Sequence, residues 1–142
     1  MRAYIDSYLL IRVIFPDKKN VTERRQYKTI IKSFEVEHNI ISLVESARNY
    51  KLSDFKRRKL HQLIGSGPTV PDNEDWKVSH YMLMQWAKDN KIRDKKKLRK
   101  MQMDCLIAAM AINRRYYVVT HDNDFTNLKD TDLGRSLKLF YP

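Results

Sequence analysis

The stretch MQMDCLIAAMAINRRYYVVTHDNDF, residues 101–125, decides the fold. Its first half predicts a long helix from about Met101 to Arg114. Ile107, Ala108 and Ala111 stand three, four and seven positions beyond Asp104, so this carboxylate shares the stripe that must face the interior. The second half, Tyr116 to Val119, is a continuous apolar run without alternation. That pattern belongs to a strand covered on both faces, as a central parallel strand is. The strand ends in Thr120-His121-Asp122-Asn123-Asp124, a polar cluster just before Phe125.

Working outward, residues 2–5 read as a short strand ending at Asp6, and Leu9 to Phe15 as a short buried helix that stops before Pro16. Thr22 can cap a helix with Tyr27, Ile30, Ile31 and Phe34 on its apolar face. Asn39 to Ser42 reads as a short strand. Ser42 then opens a helix with Leu43, Ala47 and Tyr50 on one side and Glu45 at capping-box spacing. The helical pattern hesitates at Leu52–Asp54 and resumes up to the turn Gly65-Ser66-Gly67-Pro68. Asp72 to Asp75 begin another helix with Trp76, Leu83, Trp86 and Ala87 inward, and the basic run 91–100 joins it to the long helix. Residues 137–140 make a final strand. Short strands separated by helices predict one α/β domain over residues 1–142, a small, largely parallel sheet flanked by helices in three layers.

The 142 residues carry 28 Lys and Arg against 17 Asp and Glu, a net charge of +11. The single cysteine, Cys105, excludes an intramolecular disulfide and any zinc site built on two or more cysteines. No apolar run approaches the ~18 residues of a membrane helix and no signal peptide opens the chain, so the expectation is a soluble cytoplasmic protein. The charge is unevenly placed. Residues 88–100 hold eight bases against Asp89 and Asp94, and Arg57 and Arg58 belong to a second basic cluster. From Asp104 to Asp132 the balance reverses, with five Asp. A positive surface attracts a polyanion, while clustered acids repel one unless a cation lies between them.

Ligands of open α/β sheets bind beyond the C-terminal ends of the strands. Asp6, Glu45, Asp122 and Asp124 each follow a predicted strand, and Asp104 joins them from the helix. Each also has a local reading: Asp6 and Glu45 as helix caps, Asp122 and Asp124 as turn residues, Asp104 as a partner of the helix dipole. If they converge, a hard divalent cation relieves their repulsion, and Mg²⁺ prefers such oxygen ligands. The chemistry of that arrangement is metal-assisted phosphodiester hydrolysis, with Lys95, Lys96, Lys97, Arg99, Lys100, Arg57 and Arg58 gripping phosphates. Two other readings remain open at this level: an inert acid cluster in an RNA- or partner-binding domain, and a phosphoryl hydrolase with an aspartyl nucleophile.

These blocks, Asp6-Ser7, Ser42-x-x-Glu45, Asp104 through Ala111 and Val119 through Phe125, resemble the PIN-domain ribonucleases, most of all the toxin nucleases of VapBC-type toxin–antitoxin pairs. The resemblance covers the whole chain. It implies a parallel sheet flanked by helices and a Mg²⁺- or Mn²⁺-dependent endoribonuclease cutting tRNA or structured ribosomal RNA. It also implies a cognate antitoxin partner and a homodimer. By position, Asp6, Glu45 and Asp104 fall on the family's three central acids, and Asp122 on the acid after the strand-end Thr120. Asp124 is an alternative to Asp122, and Ser7, Ser42 and Thr120 support the ligand shell. The expected catalytic set is therefore Asp6, Glu45, Asp104 and Asp122, with metal ligands Asp6, Asp104, Asp122 and Asp124. Tyr8 departs from the small polar residue of many members. It is read as core packing, with stacking on a base as the alternative.

Overall fold

A computed structural model describes residues 1–49 and 51–142. In chain order the elements are β1 (Arg2–Ile5), α1 (Ser7–Ile14), α2 (Val21–Ser33), β2 (Glu35–Val36), α3 (Ile40–Ala47) and α4 (Asp54–Gly65). They continue with α5 (Asn73–Asp89), α6 (Lys95–Arg114), β3 (Tyr117–Val119), α7 (Asn123–Leu128), a single 3-10 turn at Leu133–Ser136, and β4 (Lys138–Phe140). The strands form one parallel sheet in the order β2-β1-β3-β4. Ile5 lies opposite Val119, and Val119 opposite Phe140. The chain leaves β1 toward one edge, to β2, and later returns to build β3 and β4 on the other side. The reversal falls between β1 and β3, which makes their shared C-terminal end the place where ligands of such sheets bind.

Both faces of the sheet are covered, as the unbroken apolar run of β3 requires. Tyr4 and Val118 point to one face, where Met82, Met101, Ile107, Ala108, Phe125 and Leu128 close the core. Ala3, Ile5 and Val119 point to the other, against Leu9, Leu10, Val13, Ile30, Leu43 and Leu60. The strand period of two thus feeds two cores from three-residue and four-residue strands. Ala108, Ala109 and Ala111 of α6 are wholly buried, and their small size lets the helix come close to its neighbours. Among the described residues, no helix is long and apolar enough to cross a membrane.

Several local expectations are corrected. There is no strand at 39–42. Asn39 is instead the N-cap of α3, its side chain accepting the Ser42 N–H at 2.8 Å, and the strand preceding it is the two-residue β2. Ser42 and Glu45 therefore form no capping box. Asn20, not Thr22, caps α2, accepting from the Glu23 N–H. The long helix begins at Lys95, where Asp94 accepts the Lys96 N–H, so the lysine run forms its first turns rather than a connector. Lysine is a good helix former, and these side chains simply stand in solvent. Trp76 is exposed rather than inward, as are Ile31 and Tyr8. The expectation for Tyr50 lies outside the described residues.

A buried ion pair locks α5 to α6. Asp75, fully buried, forms a reciprocal capping box with Asp72. It also receives two hydrogen bonds from Arg114, at 2.8 and 2.9 Å, and one from Asn113 at 2.8 Å. Burial alone would raise the Asp75 carboxyl, but the bonds from Arg114, Asp72 and Asn113 hold it below the usual carboxylate range.

Candidate metal and active site

The register of β1 against β3 sets the floor of the site. Because Ile5 faces Val119, the next residues on each strand, Asp6 and Thr120, emerge side by side at the sheet's C-terminal end. The Asp6 N–H donates to the Val119 carbonyl at 3.1 Å, and the Thr120 N–H to Phe140 at 3.0 Å, extending the ladder by one step. Asp6 is 4% exposed. One carboxylate oxygen accepts the Leu9 N–H at 2.9 Å and so caps α1; the other accepts a hydrogen bond from the Thr120 hydroxyl. Burial pushes the Asp6 carboxyl upward, the bonds from Thr120 and Leu9 oppose this, and the charge of Asp122 adds to the rise.

Thr120 relays this order to the next loop. Its hydroxyl oxygen accepts the Asp122 N–H at 2.8 Å, and Asp122 in turn accepts the Asp124 N–H at 2.9 Å as the N-cap of α7. Asp104 arrives from α6. Carboxylate oxygens of Asp104, Asp122 and Asp124 lie within 4.8 Å of one another. Asp104 responds most strongly. Burial, followed by the negative charges of Asp122, Glu45, Asp124 and Asp6, pushes its carboxyl up to about 8. Burial and Asp122 also raise Asp124, against the pull of Lys100, whose Nζ stands 3.9 Å away.

Glu45 closes the cluster from α3. Its carboxyl is raised by burial and then by Asp6, and its Oε1 is buried without a hydrogen-bond partner. Ser42, one turn earlier, has a buried hydroxyl that is likewise unpartnered. Glu45, Asp104 and Asp122 line an open cleft of about 620 Å³ together with Ser7, Tyr8, Lys100, Met103 and His121. The donor set is entirely oxygen, three carboxylates lie close together, and a further buried carboxylate oxygen lacks a partner. Such a set fits a hard divalent cation such as Mg²⁺ or Mn²⁺.

Asp104, Asp122 and Asp124 come together, with Glu45 on the same cleft. Asp6 lies at the floor with both oxygens hydrogen-bonded. Ser7 lines the cleft at the start of α1, and Thr120 ties Asp6 to Asp122. Lys100 stands on the rim, while Lys95, Lys96, Lys97 and Arg99 run outward, exposed, along the first turns of α6. Arg57 and Arg58 lie on α4 beside Asp54 and His61 and do not line this cleft. Tyr8, read from the sequence as core packing with base stacking as the alternative, lines the cleft, as do Met103 and His121, which the sequence does not single out. His121 carries a signal in its position between Thr120 and Asp122, and Tyr8 in its departure from a small polar residue beside Asp6; Met103 carries none beyond its nearness to Asp104.

No protein-family model and no curated protein matches the sequence. Solved structures do match its fold. The chain is similar to a VapBC2 complex from Rickettsia felis bound to a promoter DNA fragment, with a TM-score of 0.64 and 15% identity over 100% of this chain and 99% of that one. It is similar to FitAcB from Neisseria gonorrhoeae, with a TM-score of 0.64 and 16% identity over 97% and 96%. VapBC-5 from Mycobacterium tuberculosis, a member of the VapBC family of toxin–antitoxin systems, matches with a TM-score of 0.58 and 16% identity over the whole of both chains. The three-layer architecture expected from the resemblance to PIN domains is thus the architecture found, and at these identities the likeness is one of fold.

Proposed function

We propose that this protein is a divalent-metal-dependent endoribonuclease and the toxin of a toxin–antitoxin pair. The observation that carries the reading is the meeting of Asp104, Asp122 and Asp124 within 4.8 Å at the sheet's switch point, in a chain of net charge +11. Acids are costly to gather in this way unless a cation compensates them, and an RNA backbone cannot approach them without one. Asp104, Asp122 and Asp124 would hold a Mg²⁺ or Mn²⁺ ion, with Asp6 beneath them. When bound, such an ion supplies Lewis acidity toward phosphate and lowers the pKa of water.

The chain's own groups account for the rest. Glu45, with its raised carboxyl and unpartnered oxygen, is suited to take a proton from an attacking water. Thr120 keeps Asp6 and Asp122 in register, Ser7 lines the cleft, and the buried Ser42, one turn before Glu45, would support the shell from behind. Lys100 on the rim, continued by Lys95, Lys96, Lys97 and Arg99, would bind phosphates beside the cut. Arg57 and Arg58 would serve a longer substrate from α4. The substrate class proposed is tRNA or structured ribosomal RNA. The toxin–antitoxin identity of the structural neighbours supports a cognate antitoxin as partner, and the exposed Trp76, Tyr81 and Met84 on α5 support pairing of two copies.

The test is cleavage of structured RNA by the purified protein with Mg²⁺, beside the Asp104→Asn variant. Losing a ligand worth several kcal/mol of charge stabilisation should lower the rate roughly 100-fold or more. Undiminished cleavage by the variant overturns the assignment. Tight RNA binding without cleavage by the unaltered protein would mark the fold as an inert binding domain instead.

A further inference from the structure

We infer that Tyr8 is a stacking platform for a nucleobase next to the scissile phosphate, and that this platform determines where the RNA is cut. The inference rests on the nuclease reading above and adds a specificity element to it.

On α1, Leu9, Leu10 and Val13 turn inward, while Tyr8 remains 63% exposed. An isolated exposed aromatic needs no explanation, but the position of this one does. Tyr8 borders the acidic cleft and also a second hollow of about 360 Å³, lined further by Ile11, Arg12, Ser46 and Asn49. Ser7 and Glu45 border both as well. Tyr8 is thus shared between the carboxylate pocket and a neighbouring space whose lining is mostly polar.

The ring is also held in place. Arg12, one turn along the helix, sets its guanidinium carbon 5.1 Å from the ring centroid, and its Nη2 donates to the Tyr8 hydroxyl at 3.4 Å. Arg12 is itself anchored, its Nε lying 3.6 Å from Glu23. With the cation on one face and most of the side chain still exposed, the opposite face is open to a flat partner. A cation behind the ring strengthens the site's attraction for the nucleotide, and base stacking tolerates any sequence because every base has a π face. Selectivity would come from the rim. The exposed Asn49 already accepts the Lys51 N–H at 3.0 Å through its amide oxygen, so its NH₂ group remains as a donor to an acceptor on the base edge.

The test uses an RNA hairpin carrying 2-aminopurine in its loop, whose fluorescence is quenched by stacking. Titration is done without metal in the Asp104→Asn background, so that no cleavage interferes. The expected result is quenching by that protein, retained by the added Tyr8→Phe or Tyr8→Trp change. Tyr8→Ala should abolish it, with RNA binding roughly tenfold weaker. In otherwise unaltered protein, Tyr8→Ala should also change the pattern of cut sites read by end sequencing. Equal quenching with and without the ring, equal loss in Tyr8→Phe and Tyr8→Ala, or no binding of the hairpin overturns the inference. The two readings fail separately. Ring-dependent quenching in a protein that never cuts RNA leaves the platform standing and removes the nuclease; cleavage without ring-dependent quenching does the reverse.

Discussion

Replacing Asp104 by Asn should make the metal-free protein more stable while removing its response to metal. In the fold the carboxyl titrates near 8, whereas in the unfolded chain it returns to about 3.8. A folded-state value above the unfolded one favours the protonated form, so the contribution to stability is complete below pH ~4 and is lost as the pH rises through about 8. The full difference corresponds to a ceiling of about 6 kcal/mol, and water in the open cleft screens it to about 2 kcal/mol. The neutral amide carries no such penalty. At pH 8.5 with EDTA, Asp104→Asn should melt ~6 °C higher than the unaltered protein, and the difference should vanish near pH 4. Mg²⁺ at 100 times its dissociation constant should stabilise the unaltered protein by about 2.7 kcal/mol and the variant hardly at all. Thermal melts across pH, with and without metal, measure both. A variant no more stable at pH 8.5, or one that gains as much from Mg²⁺, refutes the reasoning.

Arg114→Ala should leave the buried Asp75 without its main partner and cost about 3–5 kcal/mol, seen in urea titration as a lower midpoint with an unchanged slope. Reversing Lys95, Lys96 and Lys97 to Glu should weaken RNA binding. It should also flatten the dependence of log affinity on log salt by about 0.7 for every single-strand phosphate that the protein no longer neutralises, measured by fluorescence anisotropy. Cys105 is buried, and burial, followed by the charge of Asp104, pushes its thiol up to about 12. Iodoacetamide at pH 8 should therefore leave the folded protein unmodified and label the unfolded chain, as mass spectrometry would show.

The parts of this molecule legible in its sequence are those where side-chain period and burial coincide. Tyr116 to Val119 can be read as a doubly covered strand because it is a run of aromatic and β-branched residues without polar alternation, although the strand itself begins at Tyr117. Asp104 stands out because it interrupts a stripe that must pack. Convergence of the acids follows from the rule that places ligands at strand ends, although Asp104, Asp122 and Asp124 meet more closely than Asp6, which is absorbed by Leu9 and Thr120. The elements that the sequence misplaces have weak or competing local signals. Asn39 and Ser42 are both good caps three residues apart, and a two-residue strand such as Glu35–Val36 has no period to detect. The lysine run at 95–97 is polar in any conformation, so its helical state depends on the Asp94 cap and on the apolar residues that follow. Tyr8 and Trp76 are apolar by composition and exposed by position. Which side of its helix each occupies is set by tertiary packing, of α1 in the core beside the sheet and of α5 against α6, which no local pattern encodes.

The most direct measurement is diffraction from crystals of this protein grown with Mn²⁺, reading the anomalous signal of the ion. The account predicts a peak within coordination distance of carboxylate oxygens from Asp104 and from Asp122 or Asp124. A protein saturated with Mn²⁺ that shows no peak there, or that holds its ion elsewhere, contradicts it.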